Sequence, residues 1–184
     1  MDEKNLFGEK LKKRPGYFEK ILHKYDRDSF SSRLDRFKWL YDIFPPNKGF
    51  MMSYEMAFVF DEAKMCFMNG EYISTILLAN SFIEHWLGSY LLGKGFERAA
   101  QKGTKAIIDC LRENQLLHVY LIDRIDKIRR KRNPFVHLKP YNHKENLSQR
   151  VFINMKPPED ILEDDAKEAI SLMYQIAISY LGKQ

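Results

Sequence analysis

Apolar residues recur every three or four positions along most of the chain, a spacing that places them on one face of a helix. Runs of alternating apolar and polar residues are nearly absent, and Arg150–Asn154 is the one short strand candidate. The pattern therefore predicts an all-α bundle of about five or six helices. The predicted helices are about Ser29 to Ile43, Ser53 to Gly70, Tyr72 to Leu92, Thr104 to Glu113, Leu116 to Arg132, and one from Pro157 onward.

Residue types that favour helix ends mark several of these boundaries. Ser53 is a suitable N-cap and Gly70 a suitable residue just beyond a C-terminus. Pro45-Pro46 is expected to end the first helix, and Pro157-Pro158-Glu159-Asp160 to open the last one. The proline-containing stretch 133–157 is predicted to be irregular.

The helix predicted from Tyr72 to Leu92 is apolar almost all round, which is typical of a helix at the centre of a bundle. It is long enough to span a bilayer. Asn80, Glu84 and His85 lie in its middle, however, and these polar groups favour a buried helix and no membrane association.

The length of 184 residues suits one domain, or one domain with an extension. We predict an N-terminal extension with one helix, residues 1–50, and a helical domain, residues 51–184. The chain is 45% hydrophobic and 30% charged, which excludes a disordered protein. Two cysteines in predicted helices and no signal-like start favour the cytoplasm. No metal-ligand spacing occurs, so neither a metal nor a cofactor is predicted.

One segment places charge where an apolar residue is expected. Leu121, Ile125 and Ile128 form an apolar stripe spaced four and then three residues apart, and the next position in the series is Arg132. Arg132 should therefore point inward, and a guanidinium in such a place needs a partner. That partner could be Glu84 in the central helix or a bound phosphate.

The residues after Arg132 extend this chemistry. Asn133-Pro134 is expected to break or restart the helix, with Asn133 as a cap. His137 would then lie one turn beyond Pro134, close to Arg132. Histidine for proton transfer and arginine for charge on phosphorus suit phosphodiester cleavage.

Further basic residues surround this segment. We predict an RNA-phosphate ledge formed by Arg129, Arg130, Lys131 and Lys139. A solvated helix end explains these charges equally well, with helix ion pairs from Asp123 to Lys127 and from Asp126 to Arg130.

Arg132-Asn133-Pro134-Phe135-Val136-His137 resembles the R-x4-6-H motif of the HEPN superfamily, in which a polar residue often follows the arginine. The central helix, with Ile83-Glu84-His85, resembles the family's central helix, where a glutamate often faces the motif. The resemblance spans roughly Ser53 to Leu181. It implies a helical domain that is commonly dimeric, with the two motifs facing each other. Many members are metal-independent ribonucleases, often toxins or antiviral-defence proteins; others are binding modules.

The resemblance implies an RNA endonuclease that leaves 2′,3′-cyclic phosphate ends. His137 would be the general base on the ribose 2′-hydroxyl, and Arg132 would stabilise the phosphorane-like charge. Asn133 would assist by hydrogen bonding, and Glu84 would be a supporting residue. RNA, a second copy of the chain and an antitoxin protein would be its partners. The alternatives are a non-catalytic module that binds nucleic acid or protein, and a structural helical dimer in which Arg132 only bridges to Glu84.

Two positions depart from the family pattern. Pro134 lies inside the motif. One toxin branch has a tyrosine two residues after the histidine, where this chain has Lys139, and the nearest tyrosine is Tyr141.

Overall fold

The structure is a computed structural model that describes residues 16–43 and 52–179. Over these two ranges the chain forms α-helices and no strand, so the all-α prediction is confirmed. The described part contains eight helices rather than five or six, because α4 and α7 are short helices that the apolar pattern did not reveal. The helices are α1 Tyr17–Ile43, α2 Tyr54–Asn69, α3 Tyr72–Gly93, α4 Glu97–Ala100, α5 Thr104–Glu113, α6 Val119–Val136, α7 Leu147–Asn154 and α8 Pro158–Ser179.

The bundle is built around α3, as its apolar pattern predicts. This helix packs extensively against α2 and α8, and it also contacts α4, α5 and α6. Its buried side chains include Ile76, Phe82, Ile83 and Leu87. Among the described helices, none is both long enough and apolar enough to cross a membrane.

The caps predicted for α2 are present. The Ser53 side chain accepts a hydrogen bond from the Met56 backbone N–H at 3.4 Å. Gly70 has a φ of 82°, in the left-handed region that favours glycine. A Cβ there would lie 3.2 Å from Nη2 of Arg36, so the glycine also lets α1 approach closely. The predicted Pro45-Pro46 stop and the boundary at residue 50 lie outside the described residues.

The strand candidate Arg150–Asn154 was wrong, because these residues belong to helix α7. A short apolar run does not distinguish a strand from a helix turn by its own periodicity. Phe152 and Ile153 are exposed, so these two side chains do not attach the segment to the core. Instead, α7 is fixed by Arg150, whose guanidinium donates to both carboxylate oxygens of Asp165 at 2.5 and 2.8 Å.

The predicted break at Asn133-Pro134 was also wrong, because α6 continues to Val136. Pro134 lies in the last turn, where its missing N–H removes only the helix bond to the Arg130 carbonyl. The backbone N–H of His137 donates to the Asn133 carbonyl at 2.8 Å and closes the helix. Asn133 therefore does not cap a new turn.

A buried carboxylate joins the last three helices. Asp165 on α8 is 1% exposed, and it accepts hydrogen bonds from Lys131 on α6 and Arg150 on α7. Charged partners of this kind compensate the cost of removing the carboxylate from water.

We expect Asp165→Ala to lower the free energy of unfolding by about 3 kcal/mol, because it leaves two largely buried cations without their partner. Urea denaturation at neutral pH measures this loss. The neighbouring Asp164 is an exposed carboxylate 3.3 Å from Lys156, so Asp164→Ala should cost less than about 1 kcal/mol and serves as the control. Equal losses in the two variants would contradict this account of the fold.

A second polar cluster fastens α1 to the bundle. Nε of Arg36 donates to the Met68 carbonyl at 2.9 Å, and Nη1 contacts the Tyr72 hydroxyl at 3.4 Å. That hydroxyl donates to Glu163 at 2.7 Å, and Lys167 lies 2.7 Å from the same carboxylate. Burial alone would raise the pKa of Glu163, but the bonds from Lys167 and Tyr72 and the charge of Arg36 outweigh it, so the pKa is lowered.

Glu163→Gln should therefore destabilise the protein most at neutral pH. The carboxylate of Glu163 stabilises the fold fully above its ordinary pKa of 4.5, and this contribution is lost as the pH falls through the lowered folded value. We expect a loss of about 1 kcal/mol or less, since solvent reaches part of the carboxylate. Urea titrations from neutral to acid pH measure it, and a difference that grows with acid would refute the assignment.

Candidate functional site

The C-terminal end of α6 carries the candidate site. Leu121, Ile125 and Ile128 are buried against the core, as their spacing predicts. Arg132 continues this face, and its side chain is only 17% exposed. Its Nη2 lies 3.9 Å from Oε2 of Glu84, which places the arginine opposite the carboxylate of the central helix.

Glu84 is held by a residue that the sequence interpretation missed. The hydroxyl of Thr104, at the start of α5, donates a short hydrogen bond to Oε2 of Glu84. The side-chain amide of Asn80 contacts the same hydroxyl at 3.5 Å. Thr104 is buried. The sequence feature that could have indicated its role is its position as a polar residue in the first turn of a predicted helix. Asn80, Thr104 and Glu84 form a polar chain that ends at Arg132.

Gly103 lies beside this polar chain, and its backbone conformation favours glycine. Its φ of 85° lies in the left-handed region, and a Cβ there would lie 3.8 Å from Oε1 of Glu84. The carboxylate therefore lies beside the N-terminus of α5, where the helix dipole favours negative charge.

The guanidinium of Arg132 keeps hydrogen-bonding capacity for a ligand. At 3.9 Å, its contact with Glu84 is an ion pair without a hydrogen bond. Within the described residues, its one side-chain hydrogen bond is a 3.5 Å contact from Nη1 to Oδ1 of Asn133. A guanidinium has five N–H donors, so most of them remain for water or an anion such as phosphate.

The amide of Asn133 fits better in the opposite orientation. With nitrogen and oxygen exchanged, the nitrogen donates to the Arg129 carbonyl at 3.1 Å and the oxygen accepts from Nη1 of Arg129 at 3.3 Å. We assign this orientation because it satisfies both ends of the amide. Asn133 then contacts Arg129, and the 3.5 Å hydrogen bond from Arg132 to the Asn133 oxygen is lost, so the guanidinium of Arg132 makes no side-chain hydrogen bond within the described residues.

His137 is the residue at the C-terminal cap of α6, and its side chain is exposed. It lies five positions after Arg132, about 7.5 Å along a helix axis. The structure thus brings the imidazole to the same helix end as Arg132, on the solvent side. Among the described residues, no side-chain hydrogen bond orients the ring.

The predicted phosphate ledge is only partly formed. Lys131 points inward to Asp165 and does not contribute to an exposed surface. Arg129 and Arg130 both contact Asp126, at 2.7 and 3.3 Å. This confirms the Asp126–Arg130 helix pair. Asp123 pairs with Arg112 at 2.9 Å rather than with Lys127. Lys139 is half-buried in the segment after α6.

A small pocket lies on the other side of the α6 end. It has a volume of about 170 Å³ and is lined by Lys131, Arg150, Asn154, Lys156, Ile161, Asp164 and Asp165. Its three cations are each paired with a carboxylate of the same pocket. In the part of the chain that the structure describes, no group of three or more His, Cys, Asp or Glu side chains could hold a metal ion.

Comparison with protein-family models, with curated proteins and with solved structures finds no match to this chain. The interpretation of the site therefore depends on its own geometry and on the residues of the motif.

Thr104→Val should lower the free energy of unfolding by about 1.5–3 kcal/mol, because it removes the donor that satisfies the half-buried Glu84 carboxylate. Thr104→Ser keeps the hydroxyl and loses one methyl group, so about 1 kcal/mol is expected. Chemical denaturation of both variants measures the difference. A serine variant as unstable as the valine variant would show that the hydroxyl does not hold Glu84.

Proposed function

We propose that this chain is a metal-independent RNA endonuclease of the HEPN type, acting at the C-terminal end of α6. The observation that carries the proposal is Arg132, a largely buried guanidinium whose donors are mostly left for an anion. His137, with an exposed imidazole, ends the same helix. Arginine and histidine are residue types that suit the binding and cleavage of a phosphodiester.

The proposed reaction is attack by the ribose 2′-hydroxyl on the adjacent phosphorus. His137 removes the hydroxyl proton as the new P–O2′ bond forms, and the bond from phosphorus to the 5′-oxygen breaks. Arg132 stabilises the negative charge that develops on the phosphoryl oxygens. The leaving 5′-oxygen takes a proton from water, so the products are a 2′,3′-cyclic phosphate and a 5′-hydroxyl.

Glu84 and Asn133 act indirectly in this proposal. Glu84, held by Thr104, keeps the guanidinium of Arg132 at its place beside α3. Asn133 holds Arg129, so the amide supports a neighbouring cation and does not contact the phosphate itself. Of the predicted ledge, Arg129, Arg130 and Lys139 are proposed to contact RNA, and Lys131 is not.

The proposal includes a cellular role and partners for the protein. The protein would act on RNA in the cytoplasm, as a toxin or defence protein, with a second copy and an antitoxin protein as partners. Cys66 and Cys110 are unpaired thiols, as a reducing compartment would leave them.

A second candidate function is RNA binding without cleavage. It is favoured by the exposed imidazole of His137, because a catalytic base is normally oriented by a third group and the described residues supply none. In that case Arg132 would hold a phosphate and His137 would have no part in the affinity.

We expect the purified protein to cleave mixed-sequence RNA in excess EDTA. His137→Ala should lower the rate by about 10²–10⁴-fold, the usual value of a positioned base. Arg132→Lys should lower it by about 10²-fold, because lysine lacks the planar fork. End-group analysis should show 2′,3′-cyclic phosphates, and DNA should remain intact.

His85→Ala and Lys127→Ala are the matched controls, since both side chains are exposed and lie outside the proposed site. Equal cleavage by the parent and by His137→Ala would overturn the catalytic assignment. RNA binding that weakens with salt and with Arg132→Ala, without cleavage and without an effect of His137→Ala, would establish the second candidate.

A further inference from the structure

Positive charge is concentrated at the end of α6 and in the segment that follows it. Residues 127–150 contain eight basic residues and one acidic residue, whereas the net charge of the whole chain is +5. Lys131 and Arg150 are bonded within the fold. Lys139 and Lys144 lie beyond α6, and neither has an ion-pair partner among the described residues. This basic segment therefore offers unmatched positive charge to an anionic polymer.

Two large apolar side chains extend into solvent from the basic segment. Leu138 is 101% exposed, the highest value for a large apolar side chain in the described part of the chain, and Tyr141 is 85% exposed. Within the described residues, Tyr141 has neither a side-chain hydrogen bond nor a contact with another ring. Both faces of its ring are therefore available to a stacking partner.

The backbone that carries Tyr141 is held in place. The side-chain amide of Asn146, the residue before α7, donates to the carbonyls of Pro140 and Tyr141 at 2.8 and 3.2 Å. The backbone N–H of His143 also donates to the Pro140 carbonyl, at 3.0 Å. An aromatic ring on a fixed backbone loses little conformational entropy when it binds a ligand, so Tyr141 is preorganised for recognition.

Tyr141 also lies near the proposed site of cleavage. It follows His137 by four positions, so their Cα atoms are at most about 14 Å apart. The start of the intervening stretch is attached to α6 by the hydrogen bond from the His137 N–H to the Asn133 carbonyl. An RNA strand with one phosphate at Arg132 can thus place a nearby base at Tyr141.

We propose that Tyr141 stacks on a nucleobase of single-stranded RNA bound at the end of α6. Leu138 supplies a further apolar contact, and Lys144 a contact to a phosphate. Aromatic side chains in a positively charged surface bind single strands in this way, because every base has a π-face and every nucleotide a phosphate. Bases within a duplex are already stacked on one another, so this contact selects single strands. The inference deepens the proposed function and rests on RNA being the ligand of the site.

The size and the charge of this surface favour a nucleobase over a protein. One partner contributes about 800 Å² to a standard protein interface, whereas two large side chains provide less than about 400 Å². A nucleobase is similar in size to the ring of Tyr141. The excess of basic residues in the segment matches the phosphates of the same strand.

Fluorescence anisotropy with an uncleavable probe tests the stacking contact. The probe is a short 2′-O-methyl RNA of mixed sequence, which lacks the free 2′-hydroxyl that the proposed reaction needs. We expect Tyr141→Ala to raise its dissociation constant about five- to 100-fold, the usual effect of removing one stacked aromatic ring. Tyr141→Phe keeps the ring and should bind like the parent. Tyr54→Ala is the matched control, because Tyr54 is also 85% exposed but lies on α2, outside the basic segment.

An abasic oligonucleotide with the same number of phosphates separates base contacts from phosphate contacts. Tyr141→Ala should weaken binding of the RNA probe and leave the affinity for the abasic strand and for an RNA duplex unchanged. The salt dependence of binding should also stay the same, because the phosphate contacts remain.

Unchanged affinity of Tyr141→Ala for the RNA probe would overturn the proposal, and so would equal losses for the probe and the abasic strand. A parent without measurable affinity for the probe would overturn it too. Cleavage of unmodified RNA is measured separately and decides the proposed function. Binding through Tyr141 without cleavage would support the stacking contact and refute the ribonuclease.

Discussion

The carboxylates of Glu84 and Asp165 hold the end of α6 between α3 and α8. Lys131 and Arg132 follow one another on this helix, so their side chains leave it about 100° apart. One enters the buried acid of α8 and the other faces the acid of α3. Since a cation with little access to water needs a partner, these two contacts act together with the buried Leu121, Ile125 and Ile128 in fixing how α6 is rotated in the bundle.

The two ion pairs differ in the hydrogen-bonding capacity that they leave available for a ligand. Asp165 is bonded by Lys131 and by both nitrogens of the Arg150 fork, so its charge is matched within the fold. Glu84 instead accepts a hydrogen bond from Thr104, and its distance to Arg132 is 3.9 Å. The contacts of Asp165 stabilise the fold. Glu84 instead orients the guanidinium of Arg132 without accepting a hydrogen bond from it. This difference separates the structural role of Lys131 from the binding role that we propose for the adjacent Arg132.

The described surface has two regions of different chemistry. The end of α6 exposes His137 and part of Arg132, whereas α1 and α2 expose aromatic and aliphatic side chains. The cluster of Arg36, Tyr72 and Glu163 fastens α1 to the bundle near its C-terminal end.

The sequence by itself determined six of the eight described helices, the caps of α2, the central place of α3 and the inward direction of Arg132. Each of these depends on spacing within one segment, where residues three or four apart must share a face. The tertiary structure decided the rest: the helical form of α7, the inward turn of Lys131, the contact of Asn133 with Arg129, and the part of Thr104. Most of these depend on which side chains of distant segments meet, and that is settled only when buried charges and hydroxyls find partners across helices. Local periodicity carries no record of such pairings, because the partners lie up to 91 residues apart, as do Tyr72 and Glu163.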